Sequence, residues 1–186
     1  MRSFIAVDIS QEEIVEKLVK IQSYLKNTNA HMKLVEPENF HITLKFLGEI
    51  SPSDVNLISN VLKKILADEV QFEISIEGIG AFPTMTKPRV VWVGIKEGRE
   101  ALRRIANKIT HELRKVGIKG DEKEFHPHVT LARIKRSSSD LVRILRNLES
   151  VKIGSIIVSR IRLKRSTLTP QGPIYSTIAE FPLKEI

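Results

Sequence analysis

Two short stretches of the chain place a histidine, a threonine and a leucine at the same spacing. The first is HITL at residues 41–44, inside FHITLKFL, and the second is HVTL at residues 128–131, inside HPHVTLARI. Both lie in apolar, β-branched runs that favour a strand. Because side chains alternate along a strand, the histidine and the threonine of each stretch share one face. The sequence therefore predicts two imidazole–hydroxyl pairs.

The residue types of the two pairs suit phosphate-ester chemistry. The imidazole pKa is the side-chain pKa closest to neutrality, so His41 and His128 can act as one acid and one base. The hydroxyls of Thr43 and Thr130 can donate to phosphate oxygens and stabilise the charge that develops there. Such a site needs no metal or cofactor, and no carboxylates cluster beside either histidine in the sequence.

The elements around the two motifs follow one order. Strand, helix, His-x-Thr strand, helix and strand are predicted in residues 4–79 and again in residues 89–163, with a closing strand at 174–181. A single His-x-Thr is more often structural, but two copies at equivalent places favour a functional role. No linker rich in Gly or Ser separates the halves. We therefore expect one unit, residues 1–186, with an internal repeat.

Strict alternation along these strands makes further predictions about the site. Lys45 is expected on the face of His41, where it could reach a phosphate or, equally, be a solvated lysine at a strand end. Arg133 is expected on the face opposite His128, so a site role for Arg133 requires a bulge or a strand end. Residues 153–163 are expected to form one long strand.

Several aromatic residues allow two interpretations. Phe46, Phe82, Trp92 and Tyr175 could stack a base, although aromatic residues in or beside strands more often belong to the core. His126 is either a partner of the second motif or an ordinary turn histidine, and the sequence slightly favours the turn.

The composition excludes several classes of protein. The chain has 186 residues, 41% of them hydrophobic, a formal net charge of +8 and no cysteine. Disulfide frameworks, thiolate zinc sites and cysteine nucleophiles are therefore excluded. The positive charge favours an anionic partner such as nucleic acid. No apolar run approaches the length of a membrane span, so a cytoplasmic protein without a membrane partner is expected.

The chain resembles the two-histidine (2H) phosphoesterases, and among them the RNA 2′,3′-cyclic phosphodiesterases, historically called 2′-5′ RNA ligases. The resemblance is carried by PENFHITLKFLGEI, GIGAFPTMTKPRVVWVGI, FHPHVTLARIKR and LKRSTLTPQGPIYSTIAEF. It implies an α+β, bilobal, pseudo-two-fold LigT-like fold whose antiparallel sheets line a central cleft with helices outside. It also implies metal-independent opening of an RNA-terminal 2′,3′-cyclic phosphate to a 2′-phosphate, with reverse 2′-5′ ligation as the same path run backwards.

The resemblance also implies roles for individual residues. His41 and His128 match the catalytic histidines, the acid and the base respectively, although the residues themselves do not distinguish the two roles. Thr43, Thr130 and Arg133 match positions that bind the substrate phosphate.

Phe46 and Tyr175 match positions near the nucleotide. The implied partner is RNA with a cyclic phosphate end, tRNA fragments included, and the expected state is a monomer.

Two alternatives stay open: a phosphodiesterase acting on 2′-5′ oligonucleotides or an ADP-ribose cyclic phosphate, and a non-catalytic protein that binds RNA ends.

Overall fold

Nine strands and four helices make up the computed structural model, which describes all 186 residues. The elements up to the middle of the chain are β1 (Arg2–Asp8), α1 (Glu12–Lys26), β2 (His31–Leu34), β3 (His41–Glu49), α2 (Pro52–Leu66) and β4 (Phe72–Pro83). Those that follow are β5 (Pro88–Ile95), α3 (Arg99–Lys115), β6 (His128–Arg136), α4 (Ser139–Asn147), β7 (Lys152–Val158), β8 (Arg160–Thr169) and β9 (Gly172–Pro182).

The helices form where apolar residues recur every three or four positions, and each buries that stripe. In α1 the buried apolar residues are Ile14, Leu18, Ile21 and Leu25. Helix α2 begins with a capping box, in which the Ser51 hydroxyl accepts from the Asp54 amide while the Asp54 carboxylate accepts from the Ser51 amide. None of the four helices combines the length and the apolar character that a bilayer span requires.

The strands form two antiparallel sheets. The first sheet has the order β3-β1-β8-β9 and the second has the order β2-β6-β5-β4-β7. Helices α2 and α3 contact each other and the first sheet, whereas α1 contacts α4 and the second sheet. One cluster of 40 buried apolar residues runs through both halves. The expected α+β fold with two antiparallel sheets is confirmed.

The prediction of one long strand over residues 153–163 is wrong. The chain leaves the second sheet at Val158 and enters the first sheet at Arg160, so only Ser159 separates β7 from β8. Buried residues continue on both sides of this crossing, and no Gly or Pro marks it. The apolar pattern therefore looks continuous although the strand is not.

The strand exchange between the sheets is reciprocal. The 87-residue offset between the motif histidines (128 − 41) moves β4, residues 72–83, onto residues 159–170, which contain β8. Strand β4 lies in the sheet of the second motif, and β8 lies in the sheet of the first. This arrangement supports the predicted internal repeat of residues 4–79 and 89–163, which stays a proposal.

Candidate active site

Each motif strand carries a one-residue bulge directly after its threonine. On β3, Thr43 and Lys45 pair with consecutive residues of β1, so Leu44 is the extra residue. On β6, Thr130 and Ala132 pair with consecutive residues of β5, so Leu131 is the extra residue. A bulge of this kind shifts every later side chain to the other face of the strand. The two motif strands accordingly show the same burial pattern along their nine residues.

The bulges decide which side chains accompany the His-Thr pairs. Lys45 turns away from His41, is only 6% exposed and donates a hydrogen bond to the Asp121 carbonyl, so the prediction that it faces the site is wrong. Phe46 takes its place and is 51% exposed. On β6 the same shift brings Arg133 to the face of the second pair. From the sequence alone, Arg133 required such a bulge or a strand end to take part in the site. We call the two faces that carry the pairs the cleft faces.

His41 is held by its neighbours on and beside β3. Its Nδ1 donates to the Asn39 carbonyl over 2.7 Å, and its Nε2 accepts from the Thr43 hydroxyl over 2.9 Å. The ring centroids of Phe4 and Tyr175 lie 5.0 and 5.3 Å from that of the imidazole. This tautomer leaves Nε2 as the nitrogen that exchanges a proton.

His128 is oriented in the same way. Its Nδ1 donates to the His126 carbonyl over 2.5 Å, while its Nε2 has no hydrogen-bond partner within the protein. The rings of Phe82 and Trp92 flank it, with centroids 5.2 and 5.8 Å away. The Thr130 hydroxyl also makes no hydrogen bond within the protein, and so both groups are available to a substrate.

Burial lowers the pKa of both motif histidines. For His41 the Asn39 carbonyl and the Asp8 carboxylate act in the opposite direction, while Lys164 and Arg133 add to the lowering of the pKa.

For His128 the His126 carbonyl opposes the lowering of the pKa by burial. Every charged neighbour of His128 that affects its pKa is a cation: His126, His41 and Arg133. Only His41 therefore has a carboxylate nearby that favours its protonated form.

The two cleft faces meet, because β3 and β6 contact each other across the two sheets. The charge of Arg133, on the second sheet, lowers the pKa of His41 on the first, and it also opposes the rise that burial causes in the pKa of Tyr175. The His41 charge in turn lowers the pKa of His128. The structure thus brings both histidines, Arg133 and Tyr175 to one cleft. Phe46 joins the cleft through Phe4, whose ring centroid lies 6.2 Å from its own.

Asp8 is a polar residue of the site that the motifs did not indicate. It lies directly opposite His41 on β1. Its carboxylate accepts from Arg162 Nη1 over 2.5 Å and from Lys164 Nζ over 2.9 Å. The sequence did contain a signal for Asp8, because Asp8 is the one charged residue at the end of the apolar run of β1. Alternation along β1 also places it on the same face as Phe4.

Three aromatic residues are placed differently from the simplest expectation. Phe82, Trp92 and His126 form a cluster beside His128, with ring centroids 4.9 to 5.2 Å apart among themselves. None of them belongs to the buried core. The backbone carbonyl of His126 accepts the Nδ1–H of His128, and the centroids of the two rings lie 5.7 Å apart, so the choice between a partner and a turn histidine stays open.

No three His, Asp or Glu side chains gather in an arrangement that could hold a metal ion. The structure therefore contains no cluster of side chains that we assign as a metal site.

Comparison with known proteins gives matches along almost the whole chain. A family model described as the AKAP7 2′5′ RNA ligase-like domain matches residues 2–183. The RNA 2′,3′-cyclic phosphodiesterase of Aeropyrum pernix is 46% identical over 169 residues, which cover 90% of this chain and 95% of the relative. Its namesake in Archaeoglobus fulgidus is 42% identical over 181 residues, covering 97% and 99%.

A solved structure shares the fold. The crystal structure of TT0787 of Thermus thermophilus superposes with a TM-score of 0.84 at 30% sequence identity, covering all of this chain and 99% of the other.

Proposed function

Because the chain belongs to the 2′-5′ RNA ligase-like family of 2H phosphoesterases, we propose that it opens the 2′,3′-cyclic phosphate at RNA 3′ ends. The observation that carries this proposal is the matched pair of histidines in one cleft. Each imidazole donates Nδ1–H to a backbone carbonyl, which leaves Nε2 to exchange a proton with the substrate. The curated relatives named above carry the same activity in their names.

The proposed reaction is an in-line displacement at phosphorus. Neutral His128 takes a proton from water through Nε2 while the water oxygen attacks the phosphorus. The bond from phosphorus to the ribose 3′-oxygen breaks, and protonated His41 gives the Nε2 proton to that oxygen. The products are a 2′-phosphate and a free 3′-hydroxyl, with His128 protonated and His41 neutral. Exchange of protons with water restores both rings.

The neighbours of the two histidines support this division of roles. The Asp8 carboxylate opposite His41 favours an imidazolium there, as an acid requires. The cations around His128 favour a neutral imidazole, as a base requires. Neither role could be assigned from the motifs themselves, because they are alike.

The phosphate has three proposed ligands. The hydroxyls of Thr43 and Thr130 donate to its non-bridging oxygens from either side of the cleft, and the Arg133 guanidinium adds a charge-assisted hydrogen bond. The exposed ring of Phe46 and the ring of Tyr175 lie on the wall around His41. We propose that this wall contacts the terminal nucleoside.

The proposal also covers the metal requirement, the natural substrate, the reverse reaction, the oligomeric state and the location in the cell. We propose that catalysis needs no metal, that RNA ends such as tRNA fragments are the substrates, and that reverse 2′-5′ ligation follows the same path. We further propose a monomer working in the cytoplasm. The formal net charge of +8 suits a polyanionic substrate.

The test is hydrolysis of a nucleoside 2′,3′-cyclic phosphate in the presence of EDTA, with identification of the product. His41→Ala and His128→Ala are each expected to lower kcat about 10²- to 10⁴-fold, because each removes a proton-transfer group. His111→Ala, on exposed helix surface, is the matched control and should retain activity. Full activity in either motif variant would refute the assignment.

The substrate is decided by a panel assayed in parallel. Cyclic-phosphate RNA, 2′-5′ oligonucleotides and an ADP-ribose cyclic phosphate are each compared by kcat/KM. Preference for either of the latter two would replace the proposed substrate while keeping the chemistry. Tight, salt-sensitive RNA binding without turnover, unaffected by both histidine changes, would instead indicate a protein that only binds RNA ends.

A further inference from the structure

A cavity of about 520 Å³ lies beside the candidate active site, on the side of His128. Its lining includes Trp92 and Gly94 from β5, together with His126 from the segment that leads into β6. Gly94 is the ladder partner of His128, and Trp92 belongs to the aromatic cluster around it. The cavity therefore lies beside the second cleft face, and the proposed reaction leaves it unused. Its volume falls in the range of ligand pockets.

Glycines allow the indole ring of Trp92 to lie along the sheet. A methyl group at Gly80 would overlap the Trp92 ring, and one at Gly94 would lie 3.3 Å from it. Gly80 is the ladder partner of Trp92 on β4. The floor of the cavity is thus an aromatic ring beside bare backbone. This is a surface on which a flat ring can stack.

Two residues that line the cavity each have one buried polar atom without a hydrogen-bond partner. These atoms are Trp92 Nε1, which is a donor, and His126 Nδ1. Buried polar atoms are seldom left unpaired, because the missing hydrogen bond costs free energy.

The rim of the cavity is basic. Lys96, Arg99 and Lys152 line it together with the carboxylates of Glu77 and Glu149. Lys96 forms an exposed ion pair with Glu77 over 3.7 Å, whereas Arg99 and Lys152 form none.

Arg99 is also the first residue of α3, whose N-terminus has no side-chain cap. The two cations that form no ion pair, Arg99 and Lys152, suit a phosphate diester.

We infer that this cavity binds the second nucleotide of the RNA, the one directly 5′ of the nucleotide that carries the cyclic phosphate. Its base stacks on Trp92, and the phosphate that joins the two nucleotides contacts Arg99 and Lys152. The inference rests on the proposed function. Because the cyclic phosphate ends the chain, any further nucleotide lies on the 5′ side. The cavity lies on the side of His128, across the cleft from the wall of His41 and Tyr175.

The first experiment compares a dinucleotide that ends in a 2′,3′-cyclic phosphate with the mononucleoside cyclic phosphate. The dinucleotide should have a kcat/KM roughly 10- to 100-fold higher, the gain expected from one stacked base. The double variant Arg99→Ala/Lys152→Ala should lower the dinucleotide value about tenfold more than the mononucleotide value. The matched control is Lys63→Ala/Lys64→Ala, which removes two exposed charges from α2, outside the cavity.

The second experiment measures binding without turnover. Trp92 is the only tryptophan of the chain, so its fluorescence reports directly on the cavity. A dinucleotide ending in a 3′-phosphate should quench it and should bind about tenfold more tightly than the corresponding mononucleotide. The Arg99→Ala/Lys152→Ala variant should lose that difference in affinity.

The outcomes separate the two proposals. If no cyclic phosphate is opened but the dinucleotide still quenches Trp92 with the stated preference, the reaction is refuted and the cavity remains a nucleotide site. If both substrates have equal kcat/KM and equal affinity, the cavity inference is overturned while the reaction stands. An equal loss for both substrates in the double variant would place the terminal nucleotide in the cavity and would also overturn the inference.

Discussion

Replacing Asp8 by Asn tests which histidine is the acid. The substitution keeps the size and shape of the side chain and removes its negative charge. Asp8 lies opposite His41 in the ladder and accepts hydrogen bonds from Arg162 and Lys164. His128 has no carboxylate among the charges that affect its pKa. The change therefore acts on one of the two imidazoles.

The size of the effect follows from Coulomb's law. For directly opposed ladder residues the carboxylate and the imidazole are about 6 Å apart, and an effective dielectric constant of about 20 to 40 gives roughly 1.4 to 2.8 kcal/mol. This corresponds to a fall in the pKa of His41 of about one to two units. The sign is downward because the carboxylate stabilises the imidazolium. Lys164 and Arg162, left without their anion, act in the same direction.

The assay is the pH dependence of kcat/KM combined with NMR titration of the imidazoles. If His41 is the acid, its pKa sets the alkaline limb, which should move about one to two units lower in the variant. The chain has only five histidines, so the His41 resonance can be assigned with His41→Ala. Glu180→Gln is the control, because Glu180 also binds Arg162 but lies on β9 rather than opposite His41.

Two results would refute the assignment. An alkaline limb that does not move, while NMR shows the pKa of His41 falling, would mean that His41 is not the acid. A shift of the acidic limb with the His41 resonance would mean that the two roles are reversed. Because the Lys164 side chain is only 9% exposed, the variant should also lose some stability. Circular dichroism must confirm that it is folded under assay conditions.

Further predictions concern phosphate binding, the cavity floor and acid stability. Arg133→Ala should lower kcat/KM about 10- to 100-fold, because it removes a charge-assisted hydrogen bond, and Arg133→Lys should recover part of the loss in the same assay. Gly80→Ala should displace the Trp92 ring, which a shift in its fluorescence maximum would reveal; an unchanged spectrum would contradict the packing described. Burial lowers the pKa of His41 and His128, so between those pKa values and the unfolded value of about 6.5 the unfolded chain binds more protons. The free energy of unfolding in urea should therefore decrease from pH 7.5 to pH 5.5, and the decrease should be smaller when either histidine is replaced by Ala.

The sequence predicted the placement of the two His-Thr pairs better than that of the side chains around them. The His-x-Thr pairs could be read directly, because alternation holds over the three residues from His41 to Thr43. It fails at Leu44 and at Leu131, where a bulge inserts one residue. A bulge depends on pairing with the neighbouring strand, and a single strand's own sequence does not show that pairing.

Long-range contacts explain why the bulge was missed on β3. Lys45 is tolerated in the interior because its amine donates to the carbonyl of Asp121, 76 residues later. The Asp121 amide donates in turn to the Phe46 carbonyl over 3.0 Å. Gly120 fits beside this contact, since a side chain there would overlap the Phe46 carbonyl. No local pattern around residue 45 contains that information.

The fold class was predictable for a physical reason, and the crossing at Ser159 was not. Apolar periodicity reports burial, and each helix buries the stripe that its sequence predicts. Periodicity does not report which sheet provides the burial. Residues on both sides of Ser159 are buried, so the change of sheet leaves no trace in the pattern.

The single-residue link at Ser159 also determines how the cleft can move. Domains that close around a substrate need a connecting segment whose torsions absorb a rotation. Here β7 and β8 are anchored in different sheets on either side of one residue, and both are paired along their lengths. A hinge rotation would break ladder hydrogen bonds before it changed the gap between the histidines. On the proposed function, the two histidines therefore keep one separation whether or not substrate is bound, and selection among substrates falls to the side chains that line the cleft.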